Sequence, residues 1–132
     1  MRGGSAFDWI EKQGGLCSEA DYPYTSGSTS ARGMCSMAQC TVVPGTVPTS
    51  FIDVPPNEKA LLEAVAEHGP LSVAIEADQS VFQFYKSGVL TGACGTHLNH
   101  GVLLVGYGRD PVTGLTFWKV KNSWVRLCRS RL

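Results

Sequence analysis

The sequence predicts an α+β fold in which short helices precede an antiparallel hairpin. The run from Val102 to Val105 is continuously apolar and branched, which is typical of a strand buried on both faces. Residues 117–121 alternate with a period of two, as in a half-exposed partner strand. Between them, residues 109–114 contain Asp-Pro and Thr-Gly turn signals. These observations predict the hairpin around which the rest of the chain is arranged.

The first predicted helix runs from Ala6 to Gln13. Ser5 and Asp8 have the spacing of a capping box at its start, and Gly14 and Gly15 form its stop. Residues 16–48 follow as a loop-rich region with little helix or strand periodicity.

A second helix is predicted over Glu58–His68, with Asn57 as N-cap and Gly69 as stop. Residues 71–75, apolar except for Ser72, then predict a buried strand. A short helix capped by Asp78 should follow, and its apolar residues are more typical of a core than of a ligand face: Val81, Phe82 and Tyr85.

Composition restricts the classes of function. The chain has 132 residues, 43% hydrophobic and 17% charged, with a formal net charge of zero, which indicates one globular unit or part of one. Basic residues form no stripe that would follow nucleic-acid phosphates. No apolar run approaches the roughly 20 residues of a membrane span, and the first residues lack an apolar targeting core. We therefore expect no nucleic-acid or membrane partner.

The ends of the hairpin carry the residues with the clearest chemistry. His100 stands where the first strand begins and Asn122 where the second ends, so an antiparallel register brings their side chains together. An amide oxygen that holds one ring nitrogen fixes the tautomer of the histidine and leaves the other nitrogen free to exchange a proton. We predict His100 and Asn122 as catalytic residues.

Three segments carry a resemblance to a known family: LNHGV at 98–102, VGYG at 105–108 and KNSW at 121–124. They resemble the histidine and asparagine segments of papain-like cysteine peptidases, and the cathepsin L branch in particular. The resemblance extends from about Gly3 to Trp124. It implies a papain-like fold, with this chain comprising the last part of the helical domain and most of the antiparallel, β-barrel-like domain.

The resemblance also implies a division of the chain. Residues 1–51 correspond to a remnant of the helical, cysteine-bearing domain, and residues 52–124 to the β-rich domain that carries His100 and Asn122. Residues 125–132 form an atypical tail, which we expect to be loosely placed. In the family the nucleophile lies upstream of the histidine, in a Cys-Gly-Ser-Cys-Trp type signature. The 132 residues contain no such signature. We expect a fragment whose partner is the missing cysteine-bearing domain of the same enzyme.

The function implied by the resemblance is cysteine-type endopeptidase activity on polypeptide substrates, without a cofactor. A thiolate and imidazolium pair forms an acyl-enzyme, and His100 carries the protons. Asn122 orients His100, and Trp124 shields the bond between them. The expected compartment is secreted or lysosomal/vacuolar.

The resemblance assigns further residues to substrate binding: Gly3, Gly4, Ala74, Leu98, Asn99, Gly101 and Trp124. From the residues alone the two N-terminal glycines could be a flexible lead-in to the helix, whereas the family uses the second to pair with extended substrate. Ala74, Leu98 and Gly101 match walls of the main specificity pocket, which small residues make roomy and apolar. Asn99 is expected to tune the charge of the site.

Five cysteines predict disulfides with an unpaired remainder. We expect Cys17 to pair with Cys40. Cys35 and Cys94 resemble family cysteines whose partners lie outside this sequence.

Alternative interpretations remain open. A lone histidine before a strand is often purely structural, although the matching Asn-Ser-Trp segment argues against this for His100. Cys94, His97 and His100 have a spacing that could hold zinc, but a fourth ligand is unassigned, and we predict no metal. A catalytically inactive homologue that binds peptides or a partner protein is the third alternative.

Overall fold

The computed structural model describes residues 3–124, and the chain divides into two compact units at the Asp53–Val54 boundary. No helix within the described residues is long and apolar enough to cross a membrane. The prediction of a loosely placed tail at 125–132 concerns residues outside the described range.

The unit before Val54 begins with helix α1, Gly3–Gln13. Its predicted start was wrong, because a capping serine must lie outside the helix and Ser5 lies within it. Glycine accepts helical backbone angles, so the helix extends through the two glycines that precede Ser5. The predicted stop is confirmed: the Gly15 N–H donates to the Ile10 carbonyl at 3.0 Å, and Gly14 has φ of 78°.

A disulfide and two short helical segments organise the remainder of this unit. The predicted Cys17–Cys40 disulfide is present, and Cys17 also forms an antiparallel bridge with Val42. Helix α2, Ser26–Thr29, and a 3₁₀ turn, Met37–Gln39, lie in the region predicted to be loop-rich. Among the described residues, Cys35 and Cys94 are unpaired and exposed.

The unit from Val54 onward contains helix α3, Glu58–His68, strand β1, Leu71–Ile75, helix α4, Ser80–Gln83, and strands β2, His100–Arg109, and β3, Thr116–Lys121. The predicted cap of α3 is confirmed, since Asn57 Oδ1 accepts from the Ala60 N–H at 2.9 Å. The predicted Asp78 cap of α4 is wrong. Gln79 occupies the N-cap position there, with an extended backbone and no side-chain capping bond.

The three strands form one antiparallel sheet in the order β1-β2-β3. Its core is narrow: Leu104 is 1% exposed and Val102 is 9% exposed, and Val65 of α3 is also buried. The intervening residues of β2 are only half-buried, so the prediction of burial on both faces held for one face. The predicted burial of β1 is wrong, since Ser72 is exposed and the other four residues are half-buried. A bulge between Leu104 and Gly106 shifts the pairing with β3 and breaks the predicted alternation there.

Candidate active site

The sheet register brings His100 and Asn122 together. His100 is the first residue of β2, and Asn122 follows the last residue of β3. The ladder pairs Leu103 with Lys121 and Leu104 with Val120, which places His100 and Asn122 diagonally on the same face. Their Nε2 and Oδ1 atoms are 2.8 Å apart.

A second hydrogen bond fixes the direction of the first. Asn122 Oδ1 also accepts from the Ser123 backbone N–H at 2.8 Å. A backbone N–H can only donate, so the amide atom that faces it is the oxygen. The same oxygen faces His100 Nε2 and must accept from it, which places the imidazole proton on Nε2. Among residues 3–124, Nδ1 has no hydrogen-bond partner, so its lone pair is free to take a proton.

Two aromatic side chains support the imidazole. The Trp124 indole stacks on His100 with ring centroids 5.4 Å apart and an interplanar angle of 27°. Phe82 of α4 meets Trp124 edge-on, at 5.2 Å and 78°. Trp124 remains 47% exposed, so it covers the imidazole and also presents a surface to solvent. Phe82 was predicted to be a core residue, and no local pattern of residues indicates its contact with Trp124.

Ala74 and Gly101 lie opposite each other on β1 and β2, beside the pairing of Ile75 with His100. A Cβ added at Gly101 would meet no atom within 4 Å, so this position borders open space among the described residues. Leu98, two residues before His100, is 58% exposed. The three predicted pocket residues thus lie around the start of β2.

Asn99 makes hydrogen bonds that no sequence pattern predicts. Its Oδ1 accepts from the Ala77 N–H at 2.8 Å, and its own N–H donates to the Ile75 carbonyl at 3.0 Å. Ala77 is only 6% exposed, so this polar contact lies partly inside the protein. Asn99 therefore ties the residue before His100 to the end of β1.

Gly3 and Gly4 lie in the unit that precedes Val54, in the first turn of α1. The first N–H groups of a helix have no partner within it, so they can donate elsewhere. Pairing of Gly4 with an extended substrate remains a prediction.

Near the site, the carboxyl group with a shifted pKa is that of Glu76, which directly follows β1. The backbone N–H of His97 and, to a smaller extent, the Gln79 side chain donate to its carboxylate and lower its pKa. Among residues 3–124, no three histidine, cysteine, aspartate or glutamate side chains are arranged to hold a metal ion.

Comparison with known proteins establishes the family. The sequence model of the papain family cysteine proteases matches residues 3–128 of this chain. The chain belongs to this family. The match extends beyond Trp124, where the resemblance was predicted to end.

Curated plant relatives agree with this assignment. The chain is 46% identical over 119 residues to Cysteine protease 1 of Oryza sativa subsp. japonica, covering 90% of this chain and 23% of that protein. It is 47% identical over 124 residues to vignain of Ricinus communis, covering 90% of this chain and 31% of the relative. The chain thus spans about a quarter to a third of the length of these relatives.

Solved structures confirm the predicted papain-like α+β fold. The chain matches the bromelain protease from Ananas comosus, solved in complex with the E64 inhibitor, with a TM-score of 0.74 and 40% identity, over 90% of this chain and 52% of that one. It also matches digestive procathepsin L 3 of the Tenebrio molitor larval midgut, with a TM-score of 0.70 and 36% identity, over 91% of this chain and 37% of that one. The second match agrees with the predicted likeness to cathepsin L.

Proposed function

We propose that this chain supplies the histidine and asparagine part of the active centre of a cysteine endopeptidase. The supporting observation is the 2.8 Å contact between His100 Nε2 and Asn122 Oδ1, with the oxygen assigned by the Ser123 N–H. This pairing leaves Nδ1 as the atom that meets the nucleophile. Asn122 and Trp124 orient the ring, one through a hydrogen bond and the other by stacking.

The chemistry follows from that arrangement. His100 Nδ1 takes the proton of a cysteine thiol, which gives a thiolate and an imidazolium. The thiolate attacks the peptide carbonyl, and the imidazolium returns its proton to the leaving amine as the C–N bond breaks. His100 then removes a proton from water, which attacks the thioester and releases the carboxylic product and the thiol. Asn122 keeps the ring in one orientation through all of these proton transfers.

In our proposal, the nucleophilic cysteine belongs to a segment of the enzyme outside the 132 residues. Residues 1–51 would be the remnant of the helical domain, and residues 52–124 the β-rich domain. The Cys17–Cys40 disulfide favours an oxidising compartment, which supports a secreted or lysosomal/vacuolar enzyme. The cysteine-bearing domain of the same enzyme would then be the physical partner of this chain.

We further propose that polypeptide substrates bind beside the start of β2. Gly101 borders open space, Ala74 opposite it is small, and the exposed Leu98 side chain offers an apolar wall. This combination fits an apolar side chain of the substrate. Asn99 would hold the Leu98 wall through its bond to Ala77. Substrate binding by Gly3 and Gly4 stays a separate prediction from the family resemblance.

A chimaera tests the proposal. In Ricinus communis vignain, the matched region is replaced by residues 3–124, and hydrolysis of a fluorogenic peptide is measured. We expect activity that falls roughly 10²- to 10⁴-fold with His100→Ala, because general acid–base catalysis is lost. Asn122→Ala should give a smaller loss, and His97→Ala, an exposed histidine in the same segment, should change little. Equal activity of the His100→Ala and His97→Ala chimaeras would refute the role of His100.

A second candidate is a homologue that binds peptides without cleaving them, which the exposed Leu98 side chain and the open space at Gly101 would support without a nucleophile. The isolated chain should hydrolyse no peptide and should resist an epoxide peptide probe. Labelling of one of its cysteines that disappears with His100→Ala would show that the chain already contains a nucleophile. An inactive but peptide-binding chimaera would favour the binding function.

A further inference from the structure

The Glu76 carboxylate connects three segments near the start of β2. It lies directly after β1, and its Oε2 accepts from the His97 backbone N–H. Its Oε1 accepts from the Gln79 side-chain Nε2 at the start of α4. Both carboxylate oxygens are therefore engaged, one by the segment that leads to His100 and the other by the helix that carries Phe82.

Gly95 lies against the same carboxylate. A Cβ added at Gly95 would overlap the Glu76 carboxylate, and because this is the far end of a flexible side chain, the carboxylate would have to shift from its present position. The φ of Gly95 is not in the left-handed region, so a substitution there acts through this steric contact and not through backbone conformation. Asn99 adds two bonds to the same end of β1.

We propose that Glu76 is a positioning residue that holds residues 95–98 against the end of β1 and so sets the place of Leu98. It acts through the His97 backbone and makes no hydrogen bond to the His100 imidazole. The link to substrate choice rests on the proposed function, because that function makes Leu98 a pocket wall. The hold on residues 95–98 stands without it.

The contact should respond to pH. The His97 N–H, the Gln79 side chain, the His97 imidazole and the Asp78 side chain, in that order, lower the pKa of Glu76, while desolvation raises it. A carboxyl group with a lowered folded-state pKa stabilises the fold above its unfolded pKa of about 4.3, and this contribution is lost as the pH falls through the folded-state pKa. The segment should therefore loosen in acid.

Amide hydrogen exchange of the 132-residue chain tests the proposal without any peptidase assay. Protection of the His97 N–H, relative to an unstructured peptide, should fall about tenfold as the pH drops through the titration of Glu76. Glu76→Ala should remove the protection at every pH. Glu76→Gln keeps an acceptor but cannot ionise, so its protection should be partial and independent of pH.

Matched variants separate this hold from a general loss of stability. Glu63→Gln removes a more exposed carboxylate from α3, one that pairs with Lys59, and should leave the His97 N–H unchanged. Gly95→Ala should mimic Glu76→Ala, whereas Gly33→Ala, where a Cβ meets nothing within 4 Å, should not. An unprotected His97 N–H in the unsubstituted chain, or an acid transition that persists in Glu76→Gln, would overturn the proposal. Neither result depends on whether the chain takes part in peptide hydrolysis.

Discussion

Each end of the β2–β3 ladder has an aromatic contact and a polar side chain that accepts two hydrogen bonds, but the two ends differ in where those partners lie along the chain. At the His100 end, Trp124 stacks on the imidazole at 5.4 Å. At the hairpin end, Tyr107 and Trp118 meet edge-on at 6.2 Å and 74°. Each end thus pairs an aromatic contact with a polar group that needs partners, Asn122 at one end and Asp110 at the other.

The partners differ in their distance along the chain. Asp110 Oδ1 accepts from the N–H groups of Val112 and Thr113, both at 2.8 Å, inside one turn. Asn122 Oδ1 instead bonds a histidine 22 residues away. The hairpin turn therefore needs only local sequence, whereas the His100 pair exists only if the strands adopt the right register. A one-residue slip would turn one of the two side chains to the other face.

The largest expected effect comes from Leu104, which lies between the two ends and is 1% exposed. Leu104→Ala should lower the free energy of unfolding by about 2–5 kcal/mol, because it leaves a cavity in a narrow core. Denaturant unfolding measures this loss, and NMR should show altered signals of both His100 and Trp118. Val112→Ala, at a side chain 91% exposed, should cost about 0.5 kcal/mol or less. A change confined to one end would mean that the two ends are not coupled through this core.

Asn122→Ala should affect the His100 end of the ladder and leave the hairpin end unchanged. We expect a loss of about 1 kcal/mol from the missing hydrogen bond. The imidazole ¹⁵N signals of His100 should change from one dominant tautomer, protonated at Nε2, to a mixture, while the Trp118 indole signal stays in place. Asn57→Ala, which removes the cap of α3, should cost a similar amount and leave the imidazole signals unchanged. An unaltered tautomer in Asn122→Ala would contradict the assigned direction of the bond.

The smallest effect is expected at Asp110. The N–H groups of Thr113 and Val112, in that order, lower its pKa, so its contribution to stability is present above its unfolded pKa of about 3.9. This contribution is lost as the pH falls through the lower folded-state pKa. The amide signals of Val112 and Thr113 should follow this titration, and Asp110→Asn should abolish it without affecting His100. The same titration in Asp110→Asn would assign it to another group; Asp53→Asn is the control.

Local signals predicted much of the framework. The bounds of α3 and β1, the Asn57 cap and the glycine stop of α1 follow from residue types within a few positions. The start of α1 and the cap of α4 were predicted from the same kind of signal and were wrong, because capping residues indicate where a helix can begin and do not prevent an earlier or later start.

For the candidate site, the sequence by itself determined that His100 and Asn122 stand at adjoining ends of two antiparallel strands, because apolar periodicity and turn residues are local properties. The tertiary structure decided the rest. It seated Trp124 between His100 and Phe82, placed Glu76 against Gly95, and gave Asn99 its bond to Ala77. These contacts join segments that the sequence separates, and their geometry depends on how the strands and α4 pack, which no short pattern of residues encodes.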